Sequence, residues 1–274
     1  MVDDKYCTDP VAATIVVARH RVPLPHAERD GYTCAMEHWK LEPARDLGMP
    51  LDERARSLRR ESGLFSTFAR SVRWAIVRGY LRTYHRLKTV GREHLPKEPP
   101  FVLIANHASH LDALVLSAAL PWRMLDRVYP LAAGDVFFEN PARAVFAASV
   151  LNAFPVWRGK VGAHALEEMR ARLIEEPCVY ILFPEGTRSR DGAMAEFKGG
   201  LGRLTAAAQV PVVPCHLAGT FAALPPNCRA PRPRKITLRI GEPVLFADIA
   251  NDGPGWKHIS RTCEIAVRRL GGEP

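Results

Sequence analysis

Short apolar runs alternate with longer segments of helical pattern along this chain, and this alternation constrains its fold more than any other feature. Runs suited to strands are expected at residues 101–106, 129–135 and 154–158, from 179, from 210, and at 235–240. Helical patterns are expected from about 109 to 120, near 141–151, at 162–176, near 200–208, and at 259–270. Strands that alternate with helices are typical of α/β proteins. We therefore predict an α/β fold with a mostly parallel central sheet flanked by helices.

A histidine and a carboxylate follow the first apolar run. After residues 101–105 the chain continues Asn106-His107-Ala108-Ser109-His110-Leu111-Asp112. A neutral imidazole accepts a proton near neutral pH, and a carboxylate on its other ring nitrogen fixes the tautomer and stabilises the imidazolium. If the strand ends near Asn106 and a helix begins around Ser109, Asp112 lies back over the turn beside His107. The pair would then lie at the carboxyl end of a strand, where open α/β sheets form ligand crevices.

A purely structural interpretation of the same residues stays open. Ser109 followed three positions later by Asp112 resembles a capping box, in which Asp112 only favours the positive end of the helix. His107 would then be an ordinary loop histidine. His110 has no evident partner in the sequence and is predicted to lie on the surface.

A second polar cluster follows a later apolar run. Residues 179–183 are apolar, β-branched or aromatic, and the chain continues Pro184-Glu185-Gly186-Thr187-Arg188-Ser189. This pattern predicts a buried strand that opens into a loop. Gly186 permits close backbone approach, Thr187 and Ser189 supply hydroxyls, and the Arg188 guanidinium can hold a phosphate through two parallel hydrogen bonds. The loop is predicted to bind an anion, although a glycine turn flanked by solvated arginines remains the alternative.

Together these motifs resemble those of the 1-acylglycerol-3-phosphate acyltransferases, the family that acylates lysophosphatidic acid. Its Asn-His-x4-Asp block is matched by Asn106, His107 and Asp112, and its Phe-Pro-Glu-Gly-Thr-Arg-Ser block by residues 183–189. A block that ends in arginine resembles residues 154–158, with Trp157 where an acidic or polar residue is common. A Val-Pro-x-x-Pro block is matched by residues 210–214. The resemblance covers residues 87–244.

The resemblance implies a role for each matched residue. His107 would take the proton from an acceptor hydroxyl, and the alkoxide would attack the thioester of acyl-CoA or acyl carrier protein. Asp112 would orient His107. The implied phosphate-binding set is Arg158, Glu185, Gly186, Thr187 and Arg188. The implied supporting set is Asn106, Ser109, Ser189, Pro211 and Pro214.

We expect the acceptor to be 1-acyl-sn-glycerol 3-phosphate, whose acylation would give phosphatidic acid. Glycerol 3-phosphate, another lysophospholipid or a lyso-aminolipid could also present a hydroxyl to His107. No cofactor and no metal are expected.

The cysteines give no sign of a metal site or of a covalent acyl carrier. The six cysteines, at 7, 34, 178, 215, 228 and 263, form no Cys-x-x-Cys pair and no zinc-like spacing. They suggest a reducing compartment. Cys215 follows Pro214 in an apolar stretch and is predicted to be a buried core thiol. The Gly-x-Ser-x-Gly motif of the α/β-hydrolases is absent from the sequence.

The charge of the chain favours anionic partners. The formal net charge is +9, which suits membrane lipids, nucleic acid or phosphorylated substrates. Between 64 and 87 a helical pattern puts arginines beside one stripe of Phe65, Phe68, Val72, Ile76, Tyr80 and Tyr84. Such a helix suits the headgroup region of an anionic bilayer, or it packs on the core of the protein itself. The basic loop 229–235, with prolines at 231 and 233, is expected to face solvent or lipid.

We expect a peripheral protein on the cytoplasmic face of the cell membrane. No run reaches the roughly 20 apolar residues of a spanning helix, and the acidic start of the sequence is unlike a signal peptide. We divide the chain into an extension of unknown role (1–60), an amphipathic, membrane-facing segment (61–90) and a glycerolipid acyltransferase domain (87–274).

Two other classes of protein fit the sequence less well. A nucleic-acid-binding protein would use the positive charge, but the sequence has no zinc-finger spacing, RNP-like motif or convincing recognition helix. A catalytically silent lipid-binding relative is disfavoured because His107, Asp112, Glu185 and Arg188 are all present.

Overall fold

The structure is a computed structural model that describes residues 64–133, 154–156, 160–226, 228 and 230–272. Side chains are described within 71–131 and from 166 onward in these ranges. The predicted extension 1–60, the helix near 141–151 and Arg158 lie outside the described residues.

Seven strands of the described residues form one sheet. They are β1 (Lys88–Val90), β2 (Phe101–Ala105), β3 (Val128–Ala133), β4 (Phe154–Val156), β5 (Val179–Leu182), β6 (Val212–Ala218) and β7 (Thr237–Ile240). Their spatial order is β1-β7-β6-β2-β5-β3-β4. Neighbours are parallel except β6 and β7, which are antiparallel. The prediction of an α/β fold with a mostly parallel sheet is therefore confirmed.

Helices connect these strands. They are α1 (Leu64–Thr83), α2 (Asp112–Ala119), α3 (Lys160–Glu175), α4 (Gly200–Thr205), α5 (Thr220–Ala223) and α6 (Gly253–Gly271), with 3₁₀ turns at Arg92–His94 and Trp122–Arg127. The helix α2 begins three residues later than expected. The helix α6 begins earlier than its apolar periodicity suggested, because Asp252 caps it and accepts a hydrogen bond from the Gly255 backbone N–H at 2.8 Å.

The sheet has a hydrophobic core on each face. Every residue of β2 is buried, and its side chains alternate between the two faces because successive residues of a strand point in opposite directions. Phe101 and Leu103 belong to the core that contains α2 residues such as Val115. Val102 and Ile104 belong to the core formed with α3, α4 and α6. Burial on both faces explains why β2 is an uninterrupted apolar run.

The helix α1 packs on the core with one face and leaves large aliphatic side chains exposed on another. Trp74 and Leu81, which lie off the predicted stripe, are buried, and α1 packs against α2. Val72 and Ile76 of the stripe remain 45% and 66% exposed. No helix within the described ranges is long and apolar enough to cross a membrane.

The strand directions bring five strand ends to one edge of the sheet. The carboxyl ends of β2 to β6 lie there, because these five strands are mutually parallel. Since β7 runs opposite to β6, the amino-terminal ends of β7 and of its parallel neighbour β1 lie at this same edge. We call it the carboxyl edge. Both polar motifs follow strands that end at this edge.

Candidate active site

His107 and Asp112 form a hydrogen-bonded pair at the carboxyl edge. The His107 Nδ1 atom lies 2.8 Å from Asp112 Oδ2. Because an ionised carboxylate can only accept hydrogen bonds, the proton of the neutral imidazole lies on Nδ1, and Nε2 keeps its lone pair. Asp112 is fully buried, whereas 21% of the His107 side chain is exposed. The structure thus leaves a proton-accepting nitrogen on a ring that solvent reaches.

The Asp112 carboxylate is fixed by the turn that it closes. The same Oδ2 accepts hydrogen bonds from the backbone N–H groups of Ala108 at 2.7 Å and Ser109 at 2.8 Å. These bonds close the turn that leads into α2, whose first residue is Asp112, so Asp112 both shapes this turn and holds His107. The structural and the chemical interpretations of this motif are therefore compatible.

Asn106 and Ser109 hold the turn in place. The Asn106 amide donates to the Leu217 carbonyl at 3.0 Å and accepts from the Leu217 N–H at 2.8 Å, which extends the pairing of β2 with β6 by one residue. The buried Ser109 hydroxyl donates to the Leu224 carbonyl at 2.8 Å and accepts from the Leu111 N–H at 3.1 Å. Neither side chain bonds to the His107 ring, and their supporting role in the site stays a prediction.

Residues of the loop that follows β5, the strand next to β2, form hydrogen bonds with the backbone of His107. Glu185 Oε1 accepts a hydrogen bond from the His107 N–H at 2.7 Å. The Ser189 N–H donates to the His107 carbonyl at 2.8 Å. The Phe183 ring stacks on the imidazole, with a centroid separation of 4.0 Å and an interplanar angle of 14°. Phe183 belongs to the sequence motif, but no role was predicted for it. Its contact with the His107 ring depends on the fold and is not visible in the sequence.

Glu185 has a different role from the one expected. It is 2% exposed, and its second oxygen accepts from the Ala195 N–H at 3.0 Å. Burial raises the pKa of Glu185, and the hydrogen bonds from Ala195 and His107 oppose that rise. A buried carboxylate that is occupied by two backbone N–H groups does not contact a phosphate. We therefore correct its assignment from phosphate binding to positioning of the His107 backbone.

Arg188 reaches the first motif through His110. The two side chains form a hydrogen bond from the Arg188 guanidinium to His110 Nε2. Burial lowers the pKa of Arg188, and Asp112 opposes that change. Burial and the nearby Arg188 charge lower the pKa of His110, which keeps its ring neutral and able to accept this bond. His110 is exposed, as predicted, but the sequence did not reveal its partner.

The rest of the predicted phosphate site is described only in part. Gly186 has φ of 72°, a left-handed backbone conformation that favours glycine. Thr187 is exposed. The Ser189 hydroxyl donates to Asp191 Oδ1 at 2.9 Å and so shapes the loop. Arg158 follows β4, which ends at the carboxyl edge, but lies outside the described residues, so its role stays a prediction.

Pro211 and Pro214 lie in or next to the sheet beneath the site. The Pro211 carbonyl accepts from the Val102 N–H at 2.9 Å, and the Pro214 carbonyl accepts from the Gly241 N–H at 2.8 Å. Cys215 is fully buried in β6, and burial raises the pKa of its thiol, which agrees with the predicted core thiol. In the part of the chain that is described, no group of three or more His, Cys, Asp or Glu side chains is placed to hold a metal ion.

Several known acyltransferases are similar to this chain in sequence. Residues 86–218 match the model of the Acyltransferase family. The mouse 1-acyl-sn-glycerol-3-phosphate acyltransferase alpha is 32% identical over 132 residues, which are 47% of this chain and 44% of that protein. The 1-acyl-sn-glycerol-3-phosphate acyltransferase of Limnanthes douglasii is 29% identical over 198 residues, 67% of this chain and 63% of that protein. The chain therefore spans between about two fifths and two thirds of these relatives.

A solved structure shows the same fold. The 1-acyl-sn-glycerophosphate (LPA) acyltransferase PlsC from Thermotoga maritima superposes with a TM-score of 0.55 and 23% sequence identity, over 76% of this chain and 86% of that chain. This likeness concerns the fold, and the Acyltransferase family model matches just under half of the chain. The chain is thus similar to 1-acyl-sn-glycerol-3-phosphate acyltransferases, the proteins that its four motifs resemble.

Proposed function

We propose that this protein transfers a fatty acyl group from an acyl thioester to the free hydroxyl of 1-acyl-sn-glycerol 3-phosphate, giving phosphatidic acid. The observation that carries the proposal is the His107–Asp112 pair, in which His107 Nδ1 is held at 2.8 Å while no hydrogen bond to Nε2 is found among the described residues. An oriented imidazole with a free nitrogen is the group needed to deprotonate an acceptor hydroxyl. The named relatives are 1-acyl-sn-glycerol-3-phosphate acyltransferases, which favours this acceptor.

The reaction needs no covalent acyl-enzyme. His107 Nε2 takes the proton of the acceptor hydroxyl as its oxygen attacks the thioester carbonyl. Asp112 stabilises the imidazolium that forms, because its buried carboxylate carries a compensating charge 2.8 Å from Nδ1. Collapse of the tetrahedral oxyanion breaks the carbon–sulfur bond, and the thiolate leaves and takes the proton back from His107. The product is an ester and a free thiol.

Arg188 is the proposed phosphate ligand among the described residues. Its hydrogen bond to His110 places the guanidinium beside the turn that carries His107. A phosphate bound there would orient the glycerol backbone so that one hydroxyl meets Nε2, and such positioning lowers the entropic part of the barrier. A guanidinium holds phosphate through paired, charge-assisted hydrogen bonds. Arg158 is proposed to complete the site, on the strength of the family motif.

The donor is proposed to be acyl-CoA or acyl carrier protein, with no metal or other cofactor in the reaction. We also propose that the protein works at the cytoplasmic face of a membrane as a peripheral enzyme. The membrane location is supported by Val72 and Ile76, two large aliphatic residues that are exposed on α1. Such residues next to arginines suit an interfacial helix.

A comparison of acceptors tests the proposed function. The full chain is incubated with an acyl-CoA and one acceptor, and the products are identified by mass spectrometry. Lysophosphatidate is compared with glycerol 3-phosphate, with a lysophospholipid that carries a larger headgroup, and with monoacylglycerol, which has the hydroxyl but lacks the phosphate. We expect phosphatidic acid as the main product and little acylation of monoacylglycerol. Equal rates for monoacylglycerol and lysophosphatidate would contradict a phosphate-directed acceptor site.

A further inference from the structure

Six exposed basic residues lie together beside the active site, and the proposed reaction does not use them. They are Arg82, Arg86, Lys88, Arg232, Arg234 and Lys235, which we call the basic cluster. None of them forms an ion pair with a residue that the structure describes. The two segments that carry the cluster, 80–92 and 219–241, contain no Asp and no Glu. Within the described part of the chain, the cluster is therefore a region of uncompensated positive charge.

Hydrogen bonds hold the two segments of the cluster together. Tyr84 Oη donates to the Pro231 carbonyl at 3.1 Å, and His85 Nδ1 donates to the Arg234 carbonyl at 3.2 Å. The Ile236 N–H donates to the His85 carbonyl at 3.0 Å. Pro231 and Pro233 also restrict the loop, because proline fixes φ. The cations are thus presented on a pre-organised surface, which lowers the entropic cost of binding.

The cluster lies at the carboxyl edge, on the opposite side of His107 from Arg188. Lys88 pairs with Thr237, which in turn pairs with Ala218 at the carboxyl end of β6. Strands β6, β7 and β1 follow β2 in that order, whereas β5, which leads to Arg188, lies on the other side of β2. Neighbouring strands lie about 4.8 Å apart, and β1 is three strands away from β2, so the two are about 14 Å apart. This separation is comparable with the length of an extended pantetheine arm.

An aromatic ring accompanies the cations. Tyr84 is 38% exposed, and one face of its ring stacks on Tyr80 with a centroid separation of 5.3 Å. An exposed aromatic ring beside guanidinium groups is the combination that binds a base and its phosphates. The loop 230–235 has no large aliphatic or aromatic side chain of its own to enter a bilayer. These features favour a nucleotide over a membrane surface.

We propose that the basic cluster binds the 3′-phosphate and diphosphate of an acyl-CoA donor, with the adenine against Tyr84. This inference rests on the proposed function, since it assigns the nucleotide end of the donor whose thioester meets His107. The acceptor phosphate and the donor phosphates then bind on opposite sides of the catalytic histidine. The pantetheine arm crosses the ends of β6 and β7 between them.

The test compares two triple variants with the same loss of charge. Arg232→Gln, Arg234→Gln and Lys235→Gln are combined in the cluster variant. Its matched control combines Arg92→Gln, Lys97→Gln and Arg127→Gln, three exposed cations at the opposite edge of the sheet. Calorimetry in neutral detergent measures the binding of free CoA and of dephospho-CoA, which lacks the 3′-phosphate. Kinetics compare the KM for an acyl-CoA with that for the same acyl chain on pantetheine.

We expect the cluster variant to weaken CoA binding and to raise the KM for acyl-CoA by at least about tenfold, because charge-assisted phosphate bonds are lost. Its KM for acyl-pantetheine and its kcat should equal those of the wild type, and the control variant should behave as the wild type in every assay. Wild-type protein should bind dephospho-CoA more weakly than CoA.

Three results would overturn the inference. One is an equal change in KM for acyl-CoA and acyl-pantetheine. Another is unchanged CoA binding with lost binding to phosphatidylglycerol vesicles, which would make the cluster a membrane contact. The third is a raised KM for acyl carrier protein alone, which would make it a protein-docking surface. If CoA binding depends on the cluster but lysophosphatidate is not acylated, the inference stands and the proposed function fails.

Discussion

Replacement of Asp112 by asparagine separates the charge of this residue from its geometry. In the structure, Oδ2 accepts three hydrogen bonds, from His107 Nδ1 and from the N–H groups of Ala108 and Ser109. Oδ1 is buried and has no hydrogen-bond partner among the residues that the structure describes. The amide oxygen of asparagine can take the place of Oδ2, and its NH₂ group the place of Oδ1. The variant therefore keeps the turn and removes the negative charge.

The expected loss of rate follows from the distance between the charges. Two unit charges 2.8 Å apart attract each other by about 6 kcal/mol at an effective dielectric constant of about 20, which is an upper limit. A hydrogen bond to a charged group contributes about 1.5–3 kcal/mol, against about 1 kcal/mol for a neutral one. The hydrogen-bond difference of about 0.5–2 kcal/mol is a lower limit and the Coulomb attraction an upper one, so we take an intermediate loss of about 2–4 kcal/mol for the imidazolium of the transition state. This corresponds to a fall in kcat of about 30-fold to 1000-fold.

The assay for Asp112→Asn is thiol release from an acyl-CoA in the presence of lysophosphatidate. We expect unchanged KM values, because Asp112 is fully buried. Asp252→Asn is the matched control, since Asp252 caps α6 through the Gly255 N–H and asparagine caps helices equally well. If folded Asp112→Asn keeps a kcat within a factor of about three of the wild type, the charge has no catalytic role. Asp112 would then only hold the turn before α2.

Three further changes test the positions of other residues. Glu185→Gln can accept from only one of the two N–H groups that the carboxylate binds. The free energy of unfolding from a denaturant titration should therefore fall by about 2 kcal/mol. An unchanged midpoint would contradict the role of Glu185 in holding the His107 backbone. Arg188→Lys loses the planar guanidinium that binds phosphate through two parallel hydrogen bonds. The KM for lysophosphatidate should therefore rise about tenfold, whereas the KM for the acyl thioester should not change. An unchanged KM for lysophosphatidate would contradict a phosphate-binding role for Arg188. Burial lowers the pKa of His85, so the unfolded state binds the proton first and stability should fall as the pH drops below about 6.5. His85→Asn should show a smaller fall in melting temperature between pH 7 and pH 5, and equal falls would argue against a neutral buried histidine.

The sequence predicts the sheet and the location of the site because both depend on local patterns. β2 and β5 are fully apolar runs, since strands that are covered on both faces need apolar side chains throughout. His107 and Arg188 follow two strands that turn out to be neighbours. Because parallel strands end at one edge, polar residues that follow each of them meet without any long-range signal in the sequence.

The role of Glu185 required the tertiary structure. Its motif places it in a loop of polar residues, and nothing local indicates that the loop folds over His107. Only the pairing of β5 with β2 brings the Glu185 carboxylate within 2.7 Å of the His107 N–H. The partner of His110 was missed for the same reason, since Arg188 is 78 residues away in the chain.

The helix α1 shows a different limit of sequence patterns. Its apolar residues cover more than one face, and periodicity alone does not show which face meets the core. The structure buries Trp74 and Leu81, which the most regular stripe omits, and leaves Ile76 exposed. The exposed residues remain available for the proposed membrane contact.

The kcat of His107→Gln tests the central claim most directly. His258→Gln is the matched control, because His258 is an exposed histidine on α6. Both variants are assayed by thiol release with lysophosphatidate and an acyl-CoA, after thermal unfolding has shown that each is folded. A general base contributes about 10²-fold to 10⁴-fold, so we expect His107→Gln to lose at least about a hundredfold in kcat and His258→Gln to match the wild type. A folded His107→Gln protein with wild-type kcat would contradict the assignment of His107 as the base.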